Sequence, residues 1–335
     1  MQLPDGNRSL IDSYGRVIRK LRLSVIDKCN FRCNFCMPEE PQWLPNNAVL
    51  TSDEIQRIVG ILANLGVDRV RVTGGEPLVR QDIVELVGSL SKIANLKRLG
   101  MTTNGYYLSE KAAALKKAGL YSVTVSLHSL KSVRFFGITK RDAYEKVVAG
   151  IKSAKDAGFE SVKINTVIIR GYNDDEILDF AQMARRDGLV VRFIEYMPFD
   201  GKKMWEENKV VTGEEILRKI SSKFQVVPLE RESGSTSDNY RFVDGDGEFG
   251  IITSISKPFC SDCDRIRMTA DGKLVPCLFS NQQFDVSPLL RGNCSDLEIS
   301  DFFKQSLKMK SPGVEQLIKQ NQRLHHVRPM YVTGG

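Results

Sequence analysis

The stretch Cys29-Asn30-Phe31-Arg32-Cys33-Asn34-Phe35-Cys36 holds three cysteines within eight residues, spaced C-x3-C-x2-C. It follows the apolar segment Leu21 to Ile26 (LRLSVI), which is typical of a β-strand. Three thiolates on one tight loop suit an iron–sulfur cluster. A [4Fe–4S] cluster usually takes one cysteine for each iron, so three local ligands leave one iron open to another molecule.

A zinc site and a disulfide are the alternative interpretations of this loop. Zinc normally recruits a fourth Cys or His nearby, and the three histidines lie far away, at positions 128, 325 and 326. A disulfide fits poorly, because three is an odd number and the chain has no secretory context. The residues favour the iron–sulfur cluster, and zinc and a chance grouping stay open.

Length and composition limit the class of protein. The 335 residues are enough for one large domain or two smaller ones, and 41% apolar with 27% charged residues is ordinary for a globular protein. No apolar run reaches the roughly 20 residues of a membrane helix, and the N-terminus lacks the apolar core of a signal peptide. We therefore expect a cytoplasmic protein without a membrane partner.

Charge points to a small anionic partner. The formal net charge is +7, which permits an anion but does not require nucleic acid. The sequence has no long basic run and no alternation of aromatic and basic residues of the kind that single-strand binders use. A small anionic substrate is favoured, and no nucleic-acid partner is expected.

Strand and helix patterns alternate six times up to about residue 196, which predicts a parallel sheet with helices outside. The expected fold is α/β, a partial (β/α)6 barrel resembling a TIM barrel, with its active site at the C-terminal ends of the strands. Polar and glycine motifs follow five of these predicted strands, at Cys29–Cys36, Gly74–Pro77, Thr102–Gly105, Ser126–His128 and Glu195–Met197.

The alternation fails after about residue 200, where Gly201-Lys202-Lys203 resembles a linker. We therefore predict a barrel domain over 1–200 and a C-terminal region over 201–335. The elements expected in the C-terminal region are a helix at 213–223, short strands near 225–229, 239–243 and 249–255, a loop at 233–237, and a final helix near 295–309.

A second cysteine group, Cys260-x2-Cys263-x13-Cys277, lies in this C-terminal region. An auxiliary [4Fe–4S] cluster with an open iron is favoured. The alternative is a zinc ribbon with Cys294 as fourth ligand, although Cys294 lies 17 positions beyond Cys277 and outside any C-x2-C knuckle.

Basic residues interrupt several predicted strands. Arg265 and Arg267 alternate on one strand and so face the same side. Arginine binds phosphate bidentately, at roughly 1.5–3 kcal/mol for each charged hydrogen bond. Arg22, Arg71 and Lys163 interrupt other strands, where a buried charge needs a partner. Each could pair with a carboxylate, but together in one pocket they would suit a triphosphate.

The cysteine loop, with Phe35 before its last cysteine, resembles the signature of the radical S-adenosylmethionine (SAM) enzymes. Gly74-Gly75-Glu76-Pro77 alone could be a plain turn, but beside the cysteines it resembles the element that meets the SAM amino group. The resemblance implies that the open iron binds SAM and that an electron cleaves it to a 5′-deoxyadenosyl radical. Met197 could equally be core packing. The SAM-binding residues implied are Phe35, Gly75, Glu76, Ser126, Asn165 and Met197.

From about Ile11 to Gly335 the chain is identified as a member of the GTP 3′,8-cyclases, which begin molybdenum cofactor biosynthesis. The resemblance rests on both cysteine groups, GGEP, TTNG, RFIEYMPF, C-x-R-x-R and the terminal Gly334-Gly335. It implies that the 5′-deoxyadenosyl radical abstracts the hydrogen atom from C3′ of the GTP ribose, and that C3′ then attacks guanine C8. It assigns six cluster ligands, Cys29, Cys33, Cys36, Cys260, Cys263 and Cys277. It implies that GTP is bound by Arg22, Arg71, Thr102, Lys163, Arg265 and Arg267.

The same resemblance implies two [4Fe–4S] clusters, with the open iron of the second one contacting guanine, and a catalytic role for Gly334 and Gly335. The implied partners are GTP, an electron donor and a downstream cyclic pyranopterin monophosphate synthase. We expect a monomer or a homodimer. His128 departs from the family, which usually has Asp at this position, and the departure leaves any role of that Asp in doubt.

Two other functions stay open from sequence. Another radical SAM enzyme could use auxiliary clusters to modify a peptide, although such enzymes tend to have more cysteines in their C-terminal region. A module for electron transfer or zinc binding would need no SAM pocket, and GGEP, Ser126 and Asn165 would then be coincidental.

Overall fold

The computed structural model describes residues 9–200, 205–245, 247–319 and 328–335. The predicted linker Gly201-Lys202-Lys203, like His325 and His326, lies outside the described residues. Within the described part, no helix is both long enough and apolar enough to cross a membrane.

In the described part of the chain, twelve strands form one sheet, in the order β12-β11-β10-β1-β2-β3-β4-β5-β6-β9-β8-β7. The strands are β1 (Lys20–Ser24), β2 (Arg69–Thr73), β3 (Arg98–Thr103), β4 (Ser122–Ser126), β5 (Ser161–Ile168), β6 (Val190–Glu195), β7 (Val226–Pro228), β8 (Asp238–Phe242), β9 (Glu248–Ile252), β10 (Arg265–Met268), β11 (Lys273–Val275) and β12 (Phe284–Asp285).

Helices follow most of the parallel strands and cover the sheet. They are α1 (Ser52–Asn64), α2 (Ile83–Ser91), α3 (Leu108–Lys117), α4 (Ser132–Thr139), α5 (Tyr144–Asp156), α6 (Ile177–Asp187), α7 (Gly213–Ser221), α8 (Ser287–Arg291), α9 (Asp296–Lys308), α10 (Val314–Lys319) and α11 (Met330–Thr333).

The first six strands are parallel, which confirms the α/β fold predicted from the alternation. Two strands of the C-terminal region extend the same parallel sheet, since β10 pairs with β1 and β9 pairs with β6. The remaining strands add antiparallel edges. The barrel wall therefore contains strands from both halves of the chain.

Local sequence explains why the helices begin where they do. Thr51 caps α1 with a capping box, in which its side chain accepts from Glu54 N while the Glu54 carboxylate accepts from Thr51 N. The apolar face of α1, including Ile55, Ile58 and Leu62, is buried in the core between helices and sheet. The 3.6-residue spacing of these side chains produces that face.

Two details of the predicted elements were wrong. Helix α4 was not predicted: no side chain caps its start, and Lys140 ends it in the left-handed region at φ 54° in place of a glycine. The helix at 295–309 is confirmed as α9 but is not the last, because α10 and α11 follow it. Both later helices are short, so their periodicity is weak.

Strand direction gives this barrel two distinct ends. The C-terminal mouth is the end where β1 to β6 and β9 finish, and the N-terminal mouth is the end where β10 begins. Residues 253–264, called here the crossing segment, leave β9 at the C-terminal mouth and enter β10 at the N-terminal mouth. The two strands that they connect are not paired with each other in the sheet.

Candidate active site

A cavity inside the barrel is lined by both cysteine groups. The first group, Cys29, Cys33 and Cys36, follows β1 and lies at the C-terminal mouth, as predicted. The second group lies at the opposite mouth, because Cys263 immediately precedes β10 and Cys277 follows the antiparallel β11. The space between the two groups is therefore the interior of the barrel.

Most predicted site residues line this cavity, while Arg71, Glu76, Lys163 and Gly334 are not part of its wall. Besides the cysteines, the predicted residues on the wall are Arg22, Phe35, Gly75, Thr102, Ser126, Asn165, Met197, Arg265, Arg267 and Gly335. The structure thus brings together residues from every part of the chain that the sequence singled out.

The first cysteine loop is held by the backbone of helix α4. Arg32 N donates to Thr139 O at 2.9 Å, and Asn34 N donates to Ile138 O at 3.1 Å. The Asn34 side chain donates to Gly137 O at 3.1 Å. These bonds fix the loop through its backbone and the Asn34 side chain, while Cys29, Cys33 and Cys36 line the cavity.

The turn Gly74-Gly75-Glu76-Pro77 packs directly against the chain that leads into the cysteine loop. A Cβ on Gly75 would lie 2.2 Å from Asp27 O and 2.4 Å from Lys28 O, so only glycine fits there. Gly75 N donates to Ile26 O at 2.7 Å. This close approach fixes the end of β2 against the start of the cysteine loop.

Glu76 is fully buried, and its carboxylate accepts from internal donors. Leu78 N lies at 3.0 Å, Thr103 Oγ1 at 2.6 Å and Asn104 N at 2.6 Å from its oxygens. Burial raises the pKa of Glu76 to about 7 despite these bonds. The residue joins the GGEP turn to the TTNG turn, and its predicted contact with the SAM amino group stays a prediction.

Predicted SAM and GTP residues occupy two successive levels of the barrel. Ser126, Asn165 and Arg192 are neighbours across β4, β5 and β6. Two positions toward the N-terminal mouth on the same strands, Thr124 is the neighbour of Lys163. Because alternate residues face the same side of a strand, the SAM level lies nearer the C-terminal mouth than the level of Lys163.

Six cations crowd the barrel interior, and none of them forms a salt bridge with a described carboxylate. Arg22 is the register neighbour of both Arg71 and Arg267. Gly100, opposite Arg71, leaves room for that guanidinium, since a Cβ there would lie 3.3 Å from it. The six cations are Arg22, Arg71, Lys163, Arg192, Arg265 and Arg267.

Burial lowers the pKa of Arg22, Arg71, Lys163, Arg192 and Arg267, and positive neighbours lower it further for all of these except Arg192. Burial, followed by Arg192 and Arg71, lowers the pKa of Lys163 to about 8. Burial, followed by Arg22 and Arg192, lowers the pKa of Arg71 to about 9. Arg192 Nε and Arg265 Nη2 are buried without a hydrogen-bond partner. Unsatisfied buried donors with crowded positive charge are the features of an anion site.

The second cysteine group lies among cations. Lys310 Nζ lies 3.2 Å from Cys263 O and 3.7 Å from Cys263 Sγ. Burial raises the pKa of Cys263, but Arg265 and Lys310 outweigh it, so the net shift is downward. Cys294, the proposed fourth ligand of a zinc ribbon, is not on the cavity wall, and its carbonyl accepts from Arg57 at 2.6 Å.

The donor chemistry of both groups fits iron–sulfur clusters. All six cysteines are free thiols. Among the described residues no three His, Cys, Asp or Glu side chains converge on a single-ion site. A cubane cluster differs from such a site, because each cysteine binds a different iron and the thiols need not converge.

The C-terminal tail enters the C-terminal mouth. The Tyr331 backbone is hydrogen-bonded to Cys36, and Arg267 Nη1 donates to Gly334 O. Gly334 has φ 78°, and a Cβ there would lie 3.0 Å from the Thr73 side chain. Gly335 lines the cavity. The diglycine end therefore lies among the predicted site residues, and at Gly334 both the positive φ and the close Thr73 side chain disfavour a larger residue.

Three residues of the site were not assigned from sequence. Arg192 could have been found, because it is a charge between buried Val191 and Phe193 on β6. Asn104 donates to Asn30 Oδ1 at 2.8 Å and contacts Cys29 Sγ at 3.9 Å. His128 lines the cavity and packs edge-on against Phe35, with ring centres 4.6 Å apart.

Two family models match the chain. The Radical SAM superfamily matches residues 23–184, and Molybdenum Cofactor Synthesis C matches residues 189–316. Solved structures of low identity share the fold: Streptococcus suis SuiB bound to S-adenosylmethionine is 14% identical, with a TM-score of 0.61 over 88% of this chain and 69% of that one.

Curated relatives match over nearly the whole chain. GTP 3′,8-cyclase of Aquifex aeolicus is 43% identical over 97% of this chain and 100% of that protein. GTP 3′,8-cyclase of Thermodesulfovibrio yellowstonii is 38% identical over 97% of this chain and 99% of that protein. Molybdenum cofactor biosynthesis protein 1 of Homo sapiens is 41% identical over 87% of this chain and 46% of that longer protein.

Proposed function

The chain belongs to the GTP 3′,8-cyclase family of radical SAM enzymes, and on this premise we propose how its residues carry out the reaction. The reaction converts GTP to (8S)-3′,8-cyclo-7,8-dihydroguanosine 5′-triphosphate, the first step of molybdenum cofactor biosynthesis. Family membership implies an iron–sulfur cluster and SAM. We propose the second cluster and the residue assignments below.

The observation that carries this function is the group of six interior cations without carboxylate partners. They lie between two cysteine groups at opposite mouths of one barrel. A triphosphate carries several negative charges and would satisfy the buried donors of Arg192 and Arg265. The salt-bridge alternative predicted for each cation is not found among the described residues.

We assign the first cluster to Cys29, Cys33 and Cys36, and the second to Cys260, Cys263 and Cys277. When bound, the first cluster and SAM supply a 5′-deoxyadenosyl radical, which takes the hydrogen atom from C3′ of the GTP ribose. Phe35, Gly75, Glu76, Ser126, Asn165 and Met197 bind and orient SAM at the C-terminal mouth.

We assign GTP to the level below SAM. Arg22, Arg71, Thr102, Lys163, Arg265 and Arg267 bind the nucleotide, with Arg192, on the level of Ser126 and Asn165 above them, as an additional cation. The second cysteine group, at the N-terminal mouth, supports a guanine contact through an open iron. This order supports a geometry in which the ribose faces SAM and the base faces away from it.

The tail assists catalysis in this proposal. Gly334 and Gly335 lie beside Arg267, and Arg267 donates to Gly334 O. The tail thus limits where this guanidinium can move when GTP binds. Residues 1–200 supply the SAM half of the site, and residues 201–335 supply the second cysteine group, the tail and two strands of the barrel wall. An external electron donor reduces the first cluster, and cyclic pyranopterin monophosphate synthase uses the product.

An anaerobic assay tests the function. The protein is reconstituted with iron and sulfide and reduced, and 5′-deoxyadenosine is quantified with and without GTP. We expect GTP to stimulate its formation and deuterium to move into it from 3′-labelled GTP. SAM cleavage that ignores GTP would contradict the substrate and favour a peptide. No cleavage, with both clusters present, would favour an electron-transfer module.

A further inference from the structure

Glu195, the last residue of β6, carries a fully buried carboxylate that the reaction above does not use. Its Oε1 accepts from Gly213 N at 2.7 Å and from the Ser256 hydroxyl. Its Oε2 accepts from Ile255 N and Ser256 N, both at 2.8 Å. No Lys or Arg of the described chain forms an ion pair with it. This charge is held entirely by neutral donors.

These donors belong to separate parts of the chain. Gly213 begins α7, whereas Ile255 and Ser256 lie at the start of the crossing segment, just after β9. A Cβ on Gly213 would lie 2.3 Å from the Thr253 side chain, so α7 and the end of β9 are in close contact. One carboxylate therefore fixes the start of the crossing segment to the end of β6.

The crossing segment leads directly to the second cysteine group. Ser256 precedes Cys260 by four residues. Thr253 Oγ1 donates to Lys257 O at 2.9 Å and so closes the turn that contains Ser256. Pro258 and Phe259 of the same segment line the cavity. On the other side of the carboxylate, Glu195 precedes the predicted SAM contact Met197 by two residues. The residue lies between the two halves of the site.

Ionised glutamate is well matched to this position. A carboxylate only accepts hydrogen bonds and can take about four, which is the number of donors present. Glutamine is nearly the same size, but its NH2 group would replace one carboxylate oxygen. That NH2 group would then face the donors of this oxygen, either Gly213 N and the Ser256 hydroxyl or Ile255 N and Ser256 N. Because the site is buried, the displaced N–H groups would lose their partners without gaining water.

We propose that Glu195 is a positioning residue that sets the second cysteine group relative to the SAM half of the site. It acts through the crossing segment, and it does not touch the reacting atoms. Without its bonds the segment can move at its start, and the second cluster would shift relative to SAM. This inference rests on the proposed second cluster.

The test compares Glu195→Gln with wild type and with Glu176→Gln. Glu176 is an equally buried carboxylate that accepts from Ser129 Oγ and Leu130 N beside α4, away from the crossing segment. Each holoenzyme is reconstituted anaerobically, and iron and sulfide are counted. Paramagnetic resonance spectra of the reduced enzyme are recorded with and without GTP, and deuterium transfer from 3′-labelled GTP is measured per SAM cleaved.

For Glu195→Gln we expect an unchanged first-cluster signal and continued SAM cleavage. The second-cluster signal should shift or disappear, its response to GTP should be lost, and deuterium transfer per SAM cleaved should fall at least about tenfold. Glu176→Gln should keep the wild-type second-cluster signal. If Glu195→Gln fails to fold, Ser256→Ala, which removes a single donor, should give the same changes at smaller size.

Two results would overturn the inference, and they differ. If wild type shows both clusters while Glu195→Gln, or Ser256→Ala in its place, has wild-type spectra and coupling, Glu195 has no positioning role. If wild type itself binds iron only at Cys29, Cys33 and Cys36, the second cluster is wrong, and the role of Glu195 toward it fails as a consequence.

Discussion

At the C-terminal mouth Cys29 lies near the buried carboxylate of Glu76, whereas at the N-terminal mouth Cys263 lies near Arg265 and Lys310. Burial, followed by Glu76, raises the pKa of Cys29 to about 12. Burial also acts on Cys263, but the two cations outweigh it and lower its pKa. Cys29 and Cys263 therefore occur in opposite electrostatic surroundings.

This difference matches the charges of the two small molecules. SAM carries an ammonium, a sulfonium and a carboxylate, so the C-terminal mouth has no need for an excess of cations. GTP carries several negative charges, and the barrel interior next to the N-terminal mouth supplies cations that form no salt bridge with any described carboxylate. In the proposed function, two groups of three cysteines thus serve different molecules because of the side chains around them.

The largest effects are expected when each cysteine group is removed, because the two variants should lose different products. Replacing Cys29, Cys33 and Cys36 by Ala should reduce 5′-deoxyadenosine to background, because SAM then has no cluster to bind. Replacing Cys260, Cys263 and Cys277 by Ala should keep some SAM cleavage but abolish cyclised product. Both products are quantified in the anaerobic assay.

The first-cluster spectrum is the control for the second of these variants. Complete loss of SAM cleavage with that spectrum intact would contradict the prediction, because SAM cleavage at the C-terminal mouth would then depend on the second cysteine group.

The second-largest effect is expected when Arg265 and Arg267 are replaced. Arg265→Ala with Arg267→Ala removes at least two charged hydrogen bonds, each worth roughly 1.5–3 kcal/mol. GTP binding should therefore weaken on the order of 10²- to 10⁴-fold, as measured by equilibrium titration. Affinity for SAM should stay near wild type, because the proposed SAM site lies at the other mouth.

Exposed Arg218 on α7 provides the matched control, and Arg218→Ala should leave GTP affinity unchanged. Iron and sulfide contents decide how a loss of binding is interpreted. If the Arg265 and Arg267 variant loses iron, the pair supports the cluster loop and not the nucleotide.

Sequence predicted the C-terminal mouth better than the N-terminal mouth, and the reason is physical. The C-terminal mouth consists of short motifs that each follow directly on a strand, and parallel strands bring such ends together. The N-terminal mouth depends on β9 and β10 joining opposite edges of the barrel. Pairing of distant strands depends on tertiary packing, which local periodicity does not contain.

Single residues illustrate the same limit. Lys163 and Arg22 were found because a charge interrupts an apolar strand, and Arg192 gives the same signal within RFIEYMPF. Helix α4 has no capping side chain and no terminal glycine, so it lacked the usual boundary signals. The bonds of Glu195 come from residues 18 to 61 positions away, and no local pattern predicts them.

The affinity for GTP should also depend on pH, through the charge of Lys163. Burial and the neighbours Arg192 and Arg71 hold the pKa of Lys163 at about 8 in the protein without GTP. The proposed GTP site requires Lys163 in its charged form, so at higher pH the protein must take up a proton when it binds GTP. Affinity for GTP should thus fall about tenfold between pH 7 and pH 9, measured by titration at fixed ionic strength.

Lys163→Met is the control for this pH dependence. It should bind GTP more weakly at pH 7 but show a smaller decline toward pH 9, and ionisation of the guanine affects both proteins equally. Identical slopes for wild type and variant would assign the pH effect to another group.

The smallest effect is expected at His128, which lines the cavity beside Phe35. Val167 N donates to its Nδ1 at 3.2 Å, and burial lowers its pKa to about 4. Between about pH 6.5 and pH 4 the unfolded chain therefore binds a proton that the folded protein excludes, so stability falls as the pH is lowered. From pH 7 to pH 5.5 this residue should cost about 1 kcal/mol of unfolding free energy.

The variants His128→Asn and His128→Leu separate charge from hydrogen bonding. Asn keeps an acceptor for Val167 N but does not titrate, so its stability should depend less on pH than that of wild type. Leu also removes the acceptor and should cost about 1–3 kcal/mol at pH 7, because it leaves a buried N–H unsatisfied. Urea unfolding at pH 7 and pH 5.5 measures both effects. Equal pH dependence in wild type and His128→Asn would mean that His128 takes up its proton over the same pH range in the folded and the unfolded protein, and the C-terminal mouth would then gain a positive charge of its own toward pH 5.5.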